Sequence, residues 1–399
     1  MICISRMNLR MYPGDETQMP DPLIEAIEGQ APSYRGTAYV VIENLPLGSF
    51  GNRVPQLHFE VFRPHLSDAE DGELRLDQTV QAVALGPSAG TYSLSPAVVF
   101  AEGGKGVSEP LNVSSHEERS DFQTSLGQLR SAYPAASRTA LTYRWAVEDL
   151  RCALSAPQPR LGPEARSDWV VAGVNPGTAQ AVQGGVIHGF DMGTPPDAHV
   201  VGAIKHMHQY STQVMIRPEL VLDISDGQSL TDPWSDGVQR GRAPGGRITL
   251  SKAPGEAGSP DGTMAARTEV EAFLGTAQVS DFAVVDGQVV YSGPAAWGYR
   301  RFILHAASLA VAAGGVDGFC LGVGLAGLTR LRDGAGGVPF VEGLMALAQD
   351  VRSLLGADAK IGYAADWQEY GAQQAQDGSG DLRYPLDPLW AHGDIDFVG

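Results

Sequence analysis

Hydrophobic spacing divides the chain into a first third with strand periodicity and a remainder where helical and unbroken apolar runs alternate. Thr37–Asn44 is a short β-branched run closed by turn residues. Leu57, Phe59 and Val61 alternate with His58, Glu60 and Phe62 as far as Arg63-Pro64, the period of a half-buried strand. Val80–Leu85 and Thr91–Leu94 read as a hairpin around Pro87-Ser88-Ala89-Gly90. Before Asp121 the one helix signal is the short segment Pro22–Glu28.

The pattern changes near residue 121. Phe122–Leu129 is helical, and Thr139–Trp145 and Trp169–Val174 are strand candidates. Pro195-Pro196-Asp197 opens an amphipathic helix through Gln209, with Val200, Val201, Ile204 and Met207 on one face. Thr212–Ile216 reads as a strand ended by Pro218. Residues 224–263 form a long Gly/Pro-rich excursion with a small strand at Arg247–Leu250, and a loop of that length is expected to be functional or to cover something. Phe282–Val285 and Gln288–Tyr291 flank Asp286-Gly287, the strongest hairpin signal in the chain.

A regular alternation follows: helix Trp297–Ala313, apolar strand Val316–Leu321, helix Pro339–Leu355, strand Lys360–Ala364, a helical turn at Leu386–Trp390 and strand Ile395–Val398. Apolar strands alternating with amphipathic helices predict parallel β-structure with helices outside. The expected fold class is α/β plus β. A β-rich segment over residues 1–120 precedes a partial (β/α)8 TIM-barrel-like domain over 121–399, with about six of the eight strands and an incomplete C-terminal side.

Composition narrows the function classes. With 43% hydrophobic residues there is ample material for a core, and 49 glycines with 26 prolines predict long loops. A net charge of −18 argues against general binding to phosphate backbones or anionic lipid, so neither specific nucleic acid nor a membrane surface is expected as a partner. The apolar stretch Ala306–Leu328 carries Asp317 and Gly314-Gly315, which favours a buried helix and strand over a membrane span. The N-terminus lacks a signal-peptide h-region, so a soluble, cytoplasmically made protein is expected. Cys3, Cys152 and Cys320 lie far apart and make no disulfide framework.

In a barrel of this kind chemistry belongs at the carboxyl ends of the strands. Those ends carry Trp145 and Glu148, then Arg217, Glu219 and Asp223, then Gly322, Val323 and Gly324, and finally Asp366, Trp367, Glu369 and Tyr370. Glycoside hydrolysis needs two carboxylates roughly 5–9 Å apart, and Trp145, Trp367 and Tyr370 supply aromatic faces for sugars. No spacing singles out a carboxylate pair, and the plainer reading of these acids is as helix caps and solvated loop charges. His206 and His208 stand at i and i+2 on a helix with no third ligand in view. Asp377–Asp381 resembles a calcium-loop fragment without the later bidentate Glu. No metal and no cofactor is expected.

Two long runs carry a family resemblance. Tyr34–Pro64 resembles the tail-hub segment of the large tail-tip ("megatron", host-specificity-type) protein of siphophages and gene transfer agents. Residues 297–399 resemble that protein's glycoside-hydrolase-like TIM barrel, through WGYRRFILHAASLA, GGVDGFCLGVGLAGLTRLRD, KIGYAADWQEY, DGSGDLRYPLDPLW and DIDFVG. Val80–Val98 and Arg138–Arg151 are also similar to it. The resemblance implies a virion tail-tip (baseplate) subunit made in the host cytoplasm, commonly a homotrimer. Its partners would be the distal tail ring, the hub, a neighbouring chain completing the barrel, and a host surface glycan. It also implies an acid/base Glu where this chain has Gly324, and glycine has no proton to give. The second carboxylate would lie on a seventh strand beyond residue 399. A barrel without hydrolase activity is therefore expected. The alternatives are a glycosidase using Glu219, Asp366 or Glu369, and a glycan binder that does not cleave, built on Trp145, Trp367 and Tyr370.

Overall fold

The computed structural model of the protein describes residues 8–399 except 46, 49–50, 55–75, 87–90, 103–107, 115–116, 164, 167, 184–192, 226, 240–244 and 375–379. The strand expected at Leu57–Val61 and the Asp377–Ser379 part of the acidic turn lie outside the described residues. The chain divides into two compact units, residues 1–63 and 64–399.

In the first unit, strand β1 (Asn8–Tyr12) pairs antiparallel with β2 (Tyr39–Glu43), and Tyr12 stacks on Tyr39 at 4.5 Å. Helix α1 (Pro22–Glu28) starts at Asp21, whose carboxylate accepts from the backbone N–H of Leu23 and Ile24. The same carboxylate accepts from the Arg10 guanidinium (2.9 Å) and the Tyr12 hydroxyl (2.5 Å), so one buried acid ties the helix start to the strand. That carboxyl sits well below the usual carboxylate range, chiefly because of the Arg10 hydrogen bond.

The second unit is built on a curled sheet of six parallel strands, a half-barrel. They are β3 (Ala82–Leu85), β4 (Arg138–Val147), β5 (Gln213–Leu222), β8 (Gly318–Val323), β9 (Lys360–Ala364) and β10 (Phe397–Val398), adjacent in that order. The antiparallel hairpin β6 (Phe282–Val285) and β7 (Gln288–Tyr291) stands outside the sheet. Its turn residues Asp286 and Gly287 both have positive φ, as a two-residue turn of the primed type requires.

Helices lie between successive strands: α2 (Asp121–Ala132), α3 (Asp197–Gln209), α4 (Met264–Leu274), α5 (Tyr299–Ala312) and α6 (Pro339–Leu355). Helix α5 is buried nearly all round and packs between α3 and α6. Its Phe302 and His305 meet Tyr143 and Trp145 of β4, so that face of the sheet is the core.

Four expectations change. Val80–Leu85 does not form a hairpin with Thr91–Leu94. Ala82–Leu85 pairs in parallel with Arg138–Leu141, and 91–94 is a turn. The sheet thus begins inside the segment expected to be a separate β region ending at residue 120. Trp169–Val174 is not a sheet strand but a tight turn, with Ala172 and Gly173 at positive φ and Val171 and Val174 exchanging backbone hydrogen bonds. Strand β5 runs through Pro218 to Leu222, because its ladder with β8 reaches only Ile216 and no bond is lost beyond it. Arg247–Leu250 is not a strand: Arg247 ends a 3₁₀ turn (Gly245–Arg247), and Thr249 makes a single bridge to Arg151.

Helix α4 carried a readable signal that the loop-like composition before it obscured. Thr263 caps it, and Ala266, Val270, Phe273 and Leu274 make its buried stripe. Among the described residues no helix is long and apolar enough to cross a membrane.

Candidate functional site

The carboxyl ends of β8 and β9 are laced together by backbone and side-chain hydrogen bonds. Gly324 N–H donates to the Ala364 carbonyl (2.8 Å), and Leu325 N–H donates to the Tyr363 hydroxyl (2.9 Å). Gly324 has φ +55°, the left-handed region that favours glycine. A Cβ placed there would lie 3.7 Å from the Asp366 Cβ and meet nothing nearer. Position 324 and Asp366 therefore face one another across the two strand ends.

Asp366 caps the single helical turn α7 (Trp367–Tyr370), accepting from Gln368 N–H at 2.9 Å. Glu369 completes a capping box by accepting from Asp366 N–H at 2.7 Å. Its other oxygen accepts from the hydroxyls of Tyr363 and Thr329, each at 2.8 Å. Only 1% of Glu369 is exposed, and burial pushes its carboxyl above the ordinary value. Three donors from three segments converge on this carboxyl, which makes it a brace of the strand ends. Trp367 and Tyr370, on the same turn, are 80% and 65% exposed and offer open aromatic faces.

The other two predicted residues lie elsewhere on the sheet. Trp145 is fully buried on the helix side, stacked on Phe302 at 5.0 Å, with its indole N–H donating to the Tyr143 hydroxyl at 2.9 Å. It is a core residue and not a sugar platform, because the alternation of β4 turns it toward α5. Glu219 is on the opposite face, opposite Arg144 in the β4–β5 register and 3.0 Å from its guanidinium. Glu148 and Asp223 both pair with the fully buried Arg160, at 2.9 and 3.3 Å. They fasten the loop after β4 to the ends of β4 and β5.

Among the described residues no group of three or more His, Cys, Asp or Glu is placed to hold a metal ion. His206 packs on Phe122 and Tyr210, while His208 lies 3.8 Å from Asp317.

One feature near the strand ends has no counterpart among the predicted residues. A cleft of about 770 Å³ is walled by the 224–263 excursion, the segment after β8 and the segment after α7. The excursion is seated by close backbone approaches. A Cβ on Gly246 would stand 2.5 Å from the Gly324 carbonyl oxygen, and one on Gly327 2.2 Å from that of Ile248. Trp234, Arg247, Arg330, Arg332, Arg383 and Tyr384 line the cleft. Loop arginines scattered over so much sequence carry no periodic signal, so sequence reasoning passed over them.

Residues 297–399, roughly the last quarter of the chain, match the family model of the GTA (gene transfer agent) TIM-barrel-like domain. No curated protein matches the chain in sequence. Among solved structures, a complex of a GH113 β-1,4-mannanase is similar at 11% identity and a TM-score of 0.31, covering 62% of this chain and 50% of that one. A second GH113 β-1,4-mannanase structure is similar at 10% identity and a TM-score of 0.32, covering 73% and 57%. The chain thus spans half of one mannanase and 57% of the other, and likeness at that level carries no argument about activity.

Proposed function

We propose that this chain is a structural subunit of the tail tip of a gene transfer agent or siphophage particle. Its half-barrel faces host surface glycan without cleaving it. The observation that carries this reading is the match of residues 297–399 to the GTA TIM-barrel-like domain, joined to a glycine at the strand end opposite Asp366. Among the described residues Asp366 is the carboxylate that faces this glycine, and Glu369 beside it is enclosed, so the two do not make the acid/base or nucleophile pair of a glycosidase. The exposed Leu9, Met11, Leu23 and Ile27 of the N-terminal unit support a role for that unit in contact with a tail ring. Three copies around the tail axis and a neighbouring chain along the open barrel edge belong to the same reading.

The rival reading is a glycosidase built on Asp366 and Glu369, favoured by the raised carboxyl of Glu369. Against it, that carboxyl is enclosed and already holds three donors. Antibody labelling of purified particles in the electron microscope, with a turnover assay on peptidoglycan and host polysaccharide, separates the two. Label at the tail end without turnover is the expected result. Label on the head rejects the tail-tip assignment, and turnover abolished by Asp366→Ala rejects the inactive barrel.

A further inference from the structure

The strand-end cleft is lined by charged groups that are already engaged and by neutral polar groups that are not. Arg332 donates to the Asp261 carboxylate from its backbone N–H at 2.8 Å and from its guanidinium at 3.1 Å. Arg247 lies 3.7 Å from Asp232, the Arg330 guanidinium donates to the Gln368 carbonyl, and Arg383 is engaged as well. Each arginine of the wall therefore has a partner before any ligand arrives. By contrast, among the described residues nothing bonds to the side-chain amides of Gln368 and Gln374 or to the Tyr384 hydroxyl. All three residues are exposed and line the cleft.

Flat apolar surface stands beside these groups. The Trp234 backbone N–H donates to Asp232 at 2.7 Å and its indole N–H to the Arg247 carbonyl at 3.3 Å, so the ring is fixed and its polar atom is used within the protein. What the ring offers the cleft is apolar, with 36% of the residue exposed. Tyr384, 52% exposed, supplies a second ring from the segment after α7. A pyranose has an apolar C–H face and a rim of hydroxyls that both donate and accept. An aromatic ring packs on the first, and a side-chain amide, with one carbonyl oxygen and one NH2, meets the second. An acidic sugar fits less well, because its carboxylate would compete for guanidinium groups that already have partners. The field of a chain carrying −18 also repels it. A wholly apolar ligand would leave the amides unmatched.

We infer that this cleft binds a neutral glycan, with Trp234 and Tyr384 against sugar-ring faces and Gln368 and Gln374 on the ring hydroxyls. The inference rests on the reading of the half-barrel as a glycan-facing module, and it adds the charge class of the glycan and the residues that hold it. It also gives the 224–263 excursion a task, since that segment carries Trp234 to the cleft. The test is calorimetric titration of the full chain with cello-, manno-, laminari- and N-acetylchito-oligosaccharides beside oligogalacturonate of matched length. At least one neutral oligosaccharide binds at least tenfold tighter than the acid, with an affinity that salt leaves unchanged. Trp234→Ala and Tyr384→Ala each lower that affinity about tenfold, and Gln374→Ala lowers it about threefold. Arg138→Gln at the far end of the sheet leaves it unchanged.

Equal or tighter binding of the acid overturns the inference while leaving the half-barrel glycan-facing. Binding of no oligosaccharide overturns both. A neutral ligand whose affinity survives Trp234→Ala and Tyr384→Ala in chains whose melting is unchanged, or is lost in Trp367→Ala instead, also overturns it. Gln374→Ala, at an exposed side chain without a partner, decides the matter where an aromatic substitution disturbs folding: unchanged affinity there counts against the cleft. Cleavage of the bound glycan during the titration would reject the non-cleaving reading while leaving the neutral ligand in place.

Discussion

The two faces of strands β4 and β5 are built to opposite rules. On the helix side, Leu141, Tyr143 and Trp145 are fully buried and close on α5. On the other side Arg144 stands opposite Glu219, with each side chain about a quarter exposed. Neighbouring residues of one strand thus serve packing and surface electrostatics respectively, because a strand turns successive side chains to opposite faces. The lesson is that the aromatic residue beside a strand end need not belong to the site. Which face it occupies decides that.

Substitutions on the two faces sharpen this contrast. Trp145→Ala opens a cavity against Phe302 and is expected to cost about 3–5 kcal/mol in urea denaturation. A loss below about 1 kcal/mol would break the distinction between the faces. Glu369→Ala strands the Tyr363 and Thr329 hydroxyls and the Asp366 N–H, with an expected cost of about 2–4 kcal/mol by the same measurement.

The pH dependence of that brace has a definite sign. Burial raises the Glu369 carboxyl above its ordinary value of 4.5, so the folded state holds the proton more tightly than the unfolded chain does. The group's contribution is most favourable below that ordinary value and is lost as pH rises through the folded value. Glu369→Gln is expected to flatten this slope in denaturation curves taken across that range. An unchanged slope would assign it to other groups.

Gly324→Glu tests the strand-end glycine. The site has room for a side chain, but the left-handed backbone is expected to cost about 1–2 kcal/mol, and no glycan turnover is expected to appear. Turnover in this variant would show that one carboxylate is all the site lacks. The smallest effect belongs to Arg144→Ala, expected below about 1 kcal/mol because the pair it breaks is solvated. A melt comparable to that of Trp145→Ala would place the inner face in the core.

Much of the fold was legible in the chain. Helix Pro339–Leu355 and strand Lys360–Ala364 lie where the apolar spacing and the proline and glycine punctuation put them. The Asp286-Gly287 hairpin is equally direct. Six strands were expected and six form the sheet, although Ala82–Leu85 takes the place of Trp169–Val174. The substitution has a local cause. The run Trp169–Val174 is apolar enough for a strand, but the turn at Ala172-Gly173 folds it back on itself within four residues. Ala82–Leu85 looked like half of a hairpin because its true partner lies more than fifty residues downstream.

Of the site, the sequence by itself determined Gly324, Asp366 and the exposed aromatics of the turn that follows, since strand ends can be located from apolar runs. Tertiary structure alone decided that Gly324 faces Asp366, that Glu369 is enclosed and that Trp145 belongs to the core. It alone also gathered Arg247, Arg330 and Arg383 around one cleft. The reason is physical. Periodicity reports the environment averaged along an element, whereas a cleft at strand ends is made by loops with no period, brought together by glycine-mediated backbone contacts between distant segments.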